Sequence, residues 1–338
     1  MRRMRCVELG DPTLLQLVEE PTPQPAPGEA LIETEAVGVS FVDGLIVRGA
    51  YQVQPPVPFT PGNCVVGMVT AVGSPEDEAL LGRRVASVLD GLGGAYATHV
   101  LAPAETLAAV PAGIVPDVAA ASMESYLTVL FATTHRVTIA AGEEVVVLGA
   151  GGGIGLAAID VARSLGARVT AVASTEEKRS AALRAGAADA IGYGDPSDPS
   201  GPADLQGLKD RIREATSGGA DVVIDPVGGP AAESALRSLA TGGRYCVVGF
   251  ASGEIPRLPA NIVLLRNRSV IGVDWGDWSR VEGGAAGNAR LLADLFARSA
   301  RGELAPPAPS SAPLADAGRV LTLIGERRAV GKYVLRMS

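Results

Sequence analysis

Val147-Leu148-Gly149-Ala150-Gly151-Gly152-Gly153-Ile154-Gly155 is the stretch on which the fold turns. A strand empties into a glycine cluster, and the cluster opens a helical stretch containing Leu156-Ala157-Ala158-Ile159. Lacking Cβ atoms, Gly152 and Gly153 let the backbone approach a pyrophosphate, and Gly155 lets the helix pack closely on the strand. The helix N-terminus adds free N–H groups and a partial positive charge. The spacing Gly149, Gly152, Gly155 departs from the strict G-x-G-x-x-G pattern. A glycine-rich turn alone is usually only a turn; its position between strand and helix is what favours dinucleotide binding.

Downstream, the sequence keeps a strand and helix rhythm. It predicts strands at Val145 to Leu148, Arg168 to Ala173, Ala188 to Ile191, Val222 to Asp225, Arg244 to Val248 and Val270 to Val273. Helices are predicted at Ile154 to Leu165, Glu176 to Ala185, Leu205 to Thr216 and Ala231 to Ala240, with Ser217-Gly218-Gly219 and Thr241-Gly242-Gly243 as stops. Six such strands suit a doubly wound parallel sheet. Upstream, runs such as Ala30 to Val39, Cys64 to Val72 and Arg84 to Val88, separated by Pro and Gly, read as all-β. Past Gly276 the alternation ceases: a helix at Asn288 to Ala300, a proline-rich crossing at Pro306 to Pro313, a helix at Ala315 to Ile324 and a strand at Lys332 to Leu335 are expected. The fold class is α/β. A mostly β domain from residues 1–125 and 275–338 is expected around a nucleotide-binding domain at 126–274.

With 338 residues, 47% apolar and 20% charged, the chain suits two folded domains and is too apolar for disorder. Lys plus Arg is 29 and Asp plus Glu is 37, a net charge of −8, which opposes a nucleic-acid partner. Cys6, Cys64 and Cys246 are scattered, as in neither a disulfide framework nor a CxxC metal site. The basic N-terminus runs into Glu8 and Asp11 instead of an apolar export segment. The longest apolar run, Val145 to Ile159, is glycine-studded and too short for a membrane helix. A cytoplasmic protein that spans no membrane is expected.

The second strand ends in Ser174-Thr175, where an NAD enzyme sets an acid against the ribose 2′-hydroxyl. Lys178 and Arg179 follow within a turn and suit a 2′-phosphate, with Glu176 and Glu177 between; a solvated first helical turn explains these residues equally well. His99 reads as a strand residue and His135 as the exposed end of a helix. Together with three distant cysteines they lack the convergence zinc requires, so no metal is expected.

Further signatures run along the chain: Pro27-Gly28-Glu29, Ala36-Val37-Gly38-Val39-Ser40-Phe41-Val42-Asp43, Arg48-Gly49-Ala50-Tyr51, Thr60-Pro61-Gly62, Gly94-Ala95-Tyr96-Ala97, Asp225 with Val227-Gly228-Gly229, Val248-Gly249-Phe250 and Gly331-Lys332-Tyr333-Val334-Leu335. On these residues the whole chain resembles the zinc-independent medium-chain dehydrogenase/reductases, in the NADPH:quinone oxidoreductase branch. The resemblance implies a GroES-like catalytic domain wrapped around a Rossmann domain, with NADP(H) in the cleft between them. It implies that Tyr51, Thr128, Gly152, Gly153, Ile154, Gly155, Ser174, Lys178, Tyr193, Gly249, Phe250 and Trp275 line the cofactor. Lys178 and Tyr193 would grip the 2′-phosphate, and Thr128 would face the nicotinamide. Two positions depart from the family: Ser40 stands where Asn is usual, and Cys64 where many relatives carry Glu.

The expected activity is an NADPH-dependent, metal-free reduction of a small conjugated acceptor, a quinone or an α,β-unsaturated carbonyl compound. Tyr51, Ser40 or backbone donors would meet the acceptor oxygen, and the proton would come from solvent. Asp43 and Arg48 lie nearest the expected substrate mouth; an ion pair supporting the loop and direct action by Asp43 are both open. Tyr51, Trp275 and Trp278 fit a cleft wall or plain packing. An enoyl-thioester reductase and a nucleotide-binding protein without turnover are the alternatives. The apolar residues Leu258, Ile262, Val263, Leu264 and Leu265 near the last sheet strand predict a homodimer.

Overall fold

A computed structural model describes residues 1–89, 93–194 and 205–337. In chain order the elements are β1 (Arg2–Arg5), β2 (Gln16–Glu19), β3 (Glu29–Val39), α1 (Phe41–Val47), β4 (Cys64–Val72), β5 (Arg84–Val88), β6 (His99–Pro103), β7 (Ala108–Ala109) and α2 (Pro116–Phe131). Strand and helix then alternate: β8 (Glu144–Leu148), α3 (Gly153–Ser164), β9 (Arg168–Val172), α4 (Glu176–Arg184), β10 (Asp189–Ile191), α5 (Leu205–Ala215), β11 (Ala220–Asp225), α6 (Ala231–Ser238), β12 (Leu239–Val247), α7 (Ala260–Leu264) and β13 (Ser269–Gly272). The chain closes with α8 (Trp275–Trp278), α9 (Gly284–Ala300), β14 (Ser310–Pro313), α10 (Ala317–Gly325) and β15 (Tyr333–Arg336).

Two compact units result. The first holds Met1–Leu127, Trp278–Gly302 and the chain from Pro306 onward; the second holds Thr128–Asp277 with Glu303–Ala305. The second unit is built on a parallel sheet in the order β10-β9-β8-β11-β12-β13. Numbered by appearance within the unit that is 3-2-1-4-5-6, the doubly wound Rossmann order. Val145 to Leu148 are fully buried, as expected of a central parallel strand covered on both faces. The order reverses beside β8, and ligands of such sheets bind outside the strands' carboxyl ends at that reversal.

The first unit is a mostly β, GroES-like body with strand order β14-β15-β3-β4-β5-β7, and β6 also pairs with β3. β3 is its spine. Register shifts between Leu31 and Ile32 and between Thr34 and Ala36 bend it, so that β15, β4 and β6 all pair along its length. Helix α2 crosses the end of β3 at Gly38, where an added Cβ would lie 2.3 Å from the Ala120 carbonyl oxygen. No helix among the described residues is long and apolar enough to cross a membrane.

Two expectations need correction. Thr241-Gly242-Gly243 does not stop a helix: α6 ends at Ser238, and these residues lie within β12, where Gly242 adopts φ +75°. The proline-rich crossing contains a strand, β14, tolerated because it lies at the sheet edge, where Pro313 interrupts no inner ladder. Trp278, read as cleft wall or packing, is half-buried and lies against glycines: added Cβ atoms at Gly283 and Gly287 would come within 2.7 and 2.8 Å of its ring.

Candidate functional site

In the second unit the glycine turn follows β8. Gly149 takes φ +58°, a conformation open to glycine, and a Cβ there would meet Val227 at 2.6 Å. At Gly151 a Cβ would lie 2.5 Å from the Lys178 Cβ, so the lysine stem rests against the turn. A Cβ at Gly155 would lie 2.5 Å from the Gly149 carbonyl oxygen. Gly152 is the N-cap of α3 and brings no side chain to bond the first-turn N–H groups. Those donors, with the positive end of the helix, form a backbone cradle for an anion.

The neighbouring strand ends complete this half. Ser174 is exposed after β9, and Thr175 caps α4 by accepting from the Lys178 N–H at 3.3 Å. Glu176 is turned away to the Arg179 guanidinium at 2.8 Å, and Arg179 also donates to the Ala173 carbonyl. The Tyr193 hydroxyl accepts from the Gly149 N–H at 2.9 Å, which ties it to the glycine turn; burial, above all, raises its phenol pKa. Sequence reasoning assigned no role to Asp225. Its carboxylate, buried at the end of β11, accepts from the Val227 and Gly228 N–H groups at 2.7 and 2.9 Å and from the Tyr245 hydroxyl. Burial raises its pKa against those bonds. Asp225 thereby shapes the loop that presses on Gly149. Gly249 and Phe250 follow β12; the Phe250 ring lies over Gly228, where a Cβ would be 2.8 Å away. Thr128 and Trp275 are half-buried, on α2 and at the start of α8.

In the first unit, Ser40 is the N-cap of α1. The Asp43 N–H donates to Ser40 Oγ at 3.0 Å, and the Ser40 N–H donates to Asp43 Oδ2 at 2.8 Å, a reciprocal capping box. The Tyr96 hydroxyl donates to the same Oδ2 at 3.0 Å. Burial pushes Asp43 up to about 6, against the lowering effect of these bonds, and pushes the Tyr96 phenol well above its ordinary value. The expected Asp43–Arg48 ion pair is not formed, because Asp43 is enclosed by its cap and by Tyr96 while Arg48 donates to the Gly44 carbonyl. The signal for the capping box was present as Ser40-Phe41-Val42-Asp43 ahead of an apolar run. Tyr51 is half-buried against the unit's core. His99 lies on β6 with Nδ1 3.1 Å from Thr98 Oγ1, and His135 is exposed and stacks on Phe131.

Two family models match this chain: the alcohol dehydrogenase GroES-like domain at residues 26–112, and the zinc-binding dehydrogenase domain at 153–287. "Quinone oxidoreductase-like protein 2" of Bos taurus is 35% identical over 340 residues, spanning 100% of this chain and 93% of that protein. The Escherichia coli quinone oxidoreductase solved with NADPH aligns with a TM-score of 0.86 at 28% identity, over 99% of this chain and 100% of that one. The quinone oxidoreductase of Thermus thermophilus, also solved with NADPH, aligns with a TM-score of 0.81 at 32% identity over the whole of both chains. The second family model is named for zinc. Among the described residues no group of three or more His, Cys, Asp and Glu side chains is gathered to hold an ion. The thiol of buried Cys64 is driven up by desolvation.

Proposed function

Because the chain belongs to the quinone oxidoreductase branch of the medium-chain dehydrogenase/reductase superfamily, we propose that it is an NADPH-dependent, metal-free reductase of quinones or α,β-unsaturated carbonyl compounds. The observation that carries the reading is the glycine turn of the second unit: a backbone cradle at the head of α3 with the Lys178 stem against Gly151. Such a cradle fits a pyrophosphate, and the lysine beside it suits the additional phosphate of NADPH. The end of β9 is followed by Ala173 and Ser174 instead of an acid, and Glu176, the first acid beyond them, is engaged by Arg179. The relatives from Escherichia coli and Thermus thermophilus, both solved with NADPH, support this choice.

When bound, NADPH supplies the hydride. The chain's own residues hold and orient. The α3 N–H groups would take the pyrophosphate and Ser174 and Lys178 the 2′-phosphate, while Tyr193 fixes the turn through Gly149. Ser40 and Tyr51 lie on the first unit with hydroxyl groups suited to an acceptor oxygen. The reading includes a homodimer joined along the edge strand β13; of the apolar residues that suggested it, Leu264 and Leu265 are 77% and 59% exposed, whereas Ile262 is buried in the unit's own core with Leu258 and Val263 packed against it. The three buried, unpaired cysteines suit a reducing cytoplasm.

The test is NADPH oxidation by the chelator-treated protein with 2-methyl-1,4-naphthoquinone, an enone and crotonyl-CoA. Turnover of the first or second is expected, with kcat/KM at least about tenfold better for NADPH than NADH, as one charge-assisted hydrogen bond of roughly 1.5–3 kcal/mol provides. Lys178→Ala should remove most of that preference. Equal use of NADH, or a requirement for zinc, refutes the corresponding part of the reading, and turnover of crotonyl-CoA alone makes the protein an enoyl-thioester reductase.

A further inference from the structure

Hydride transfer to a quinone or conjugated carbonyl leaves the acceptor with an anionic oxygen that must gain a proton. We propose that Lys332, held in place by Glu124, gives that proton; the assignment rests on the reductase reading above.

Placement is the first argument. The β15–β3 ladder ends with Tyr333 opposite Val39, and the β3–β4 ladder ends with Cys64 opposite Gly38. Lys332 and Ser40 are therefore the next residues beyond one ladder end, with Cys64 on the adjacent strand. Helix α2 crosses the same end, its Ala120 carbonyl over Gly38. One turn further along α2, Glu124 meets the Lys332 ammonium at 3.1 Å. An ion pair thus stands at the sheet end that carries Ser40, the residue proposed to meet the acceptor. Beyond the dominant effect of burial, Asp43, in the cap with Ser40, is raised by the Glu124 carboxylate and lowered by the Lys332 ammonium, as is the Cys64 thiol, so these groups share one electrostatic neighbourhood.

Burial is the second argument. The side chains of Lys332 and Glu124 are 16% and 19% exposed, largely sheltered from bulk water yet not sealed from it, as a group that hands over a proton must be. The third is the choice of residue. The 29 basic residues comprise three lysines, Lys178, Lys209 and Lys332, and 26 arginines. Elsewhere in the same unit the ion pairs Arg84–Glu35 and Arg336–Asp117 use arginine, which does not release its proton in proteins. A strut could be arginine here as well. Lysine is the cation that can give up a proton and regain it.

The step balances as follows. Hydride adds to the acceptor and an electron pair moves onto oxygen. One Nζ–H bond of Lys332 breaks, its electrons remain on nitrogen, and an O–H bond forms to give the hydroquinone or enol. The neutral amine then takes a proton from water and returns to the ammonium beside Glu124. Glu124 is a positioning residue in this scheme, acting only through the lysine.

The experiment compares the parent protein with Lys332→Met, Lys332→Arg and Glu124→Gln. With 2-methyl-1,4-naphthoquinone, Lys332→Met should lose about 100-fold or more in kcat, the range of a positioned general acid. Its NADPH affinity, read from the fluorescence of bound nucleotide, should be unchanged. Lys332→Arg keeps the charge and should not recover turnover. Binding of 4-nitrophenolate, a stable mimic of the anionic product followed by its absorbance without turnover, should persist in Lys332→Arg and weaken at least about tenfold in Lys332→Met. Glu124→Gln should lower kcat about tenfold at unchanged KM for NADPH. Parental kcat in either lysine variant overturns the proposal, and Lys332→Arg decides alone if Lys332→Met fails to fold. A parent protein inert toward all three acceptors overturns the reductase reading and the proton assignment with it; an active parent with an unimpaired Lys332→Met overturns the assignment only.

Discussion

Replacing Asp43 with Asn exchanges a buried carboxylate for a neutral side chain of the same shape, at a position that distinguishes the two. Asp43 is 3% exposed, and a single oxygen, Oδ2, accepts both the Ser40 N–H and the Tyr96 hydroxyl. An asparagine carbonyl can accept the same two bonds. Burial raises the carboxyl from 3.8 to about 6, a difference of about 2 units, worth about 3 kcal/mol at 1.36 kcal/mol per unit. The folded pKa lies above the unfolded one, so the native state holds the proton more tightly. The contribution is fully present below about pH 4, is lost as the unfolded chain alone ionises between about pH 4 and 6, and is absent above about pH 6. Asp43→Asn does not titrate. Its stability should match the parent near pH 4 and exceed it by up to about 3 kcal/mol at pH 7.5. Urea unfolding of both proteins at pH 4, 5, 6 and 7.5 measures the gap, and subtraction cancels every other titrating group. A gap that does not change with pH, or a variant less stable at pH 7.5, refutes the reasoning.

Gly155→Ala drives a Cβ to 2.5 Å from the Gly149 carbonyl and 2.6 Å from the Ala150 Cα, backbone atoms that have no rotamer to change. A loss of about 1–3 kcal/mol and at least about tenfold weaker NADPH binding are expected by denaturation and fluorescence titration, and parental values would show that the turn can widen. Tyr193→Phe leaves the Gly149 N–H without its acceptor, so KM should rise equally for NADPH and NADH, whereas a loss confined to NADPH would put the hydroxyl at the 2′-phosphate. Light scattering at micromolar concentration should give twice the 34.3 kDa chain mass, and Leu264→Asp should give the chain mass alone; a monomeric parent refutes the edge-strand dimer.

The nucleotide half was legible because its chemistry is carried by backbone and by residues close in sequence. Gly149 to Gly155 announce strand, turn and helix within a few residues, and the apolar runs of β8, β9 and β11 could hardly be anything but buried parallel strands. Thr241-Gly242-Gly243 misled because two glycines after a helical pattern look like a stop. The tertiary fold gives them to the start of β12 instead, where Leu239 is wholly buried and already in the strand. Tyr193 was found but its partner was not, since a bond to a backbone N–H 44 residues away leaves no local pattern.

The acceptor half was less legible for a physical reason that also explains its departure from the family. Its polar groups come from separate stretches, and the Lys332–Glu124 ion pair joins residues 208 apart. Periodicity reports which face of an element is buried, not which distant carboxylate will meet which ammonium. Ser40 in place of the usual Asn raises doubt on sequence alone, because a side chain near substrate is shortened by an amide. The capping box changes the meaning of that difference. Ser and Asn are nearly equal as N-caps, so either residue starts α1 and keeps Asp43 in register beneath Tyr96. On the proposed reading, what the exchange alters is reach toward the acceptor, and the Lys332–Glu124 pair at the same sheet end is the longer, charged group proposed to act there. A shorter residue at position 40 is thus compatible with turnover, provided that the ammonium does what the hydroxyl cannot.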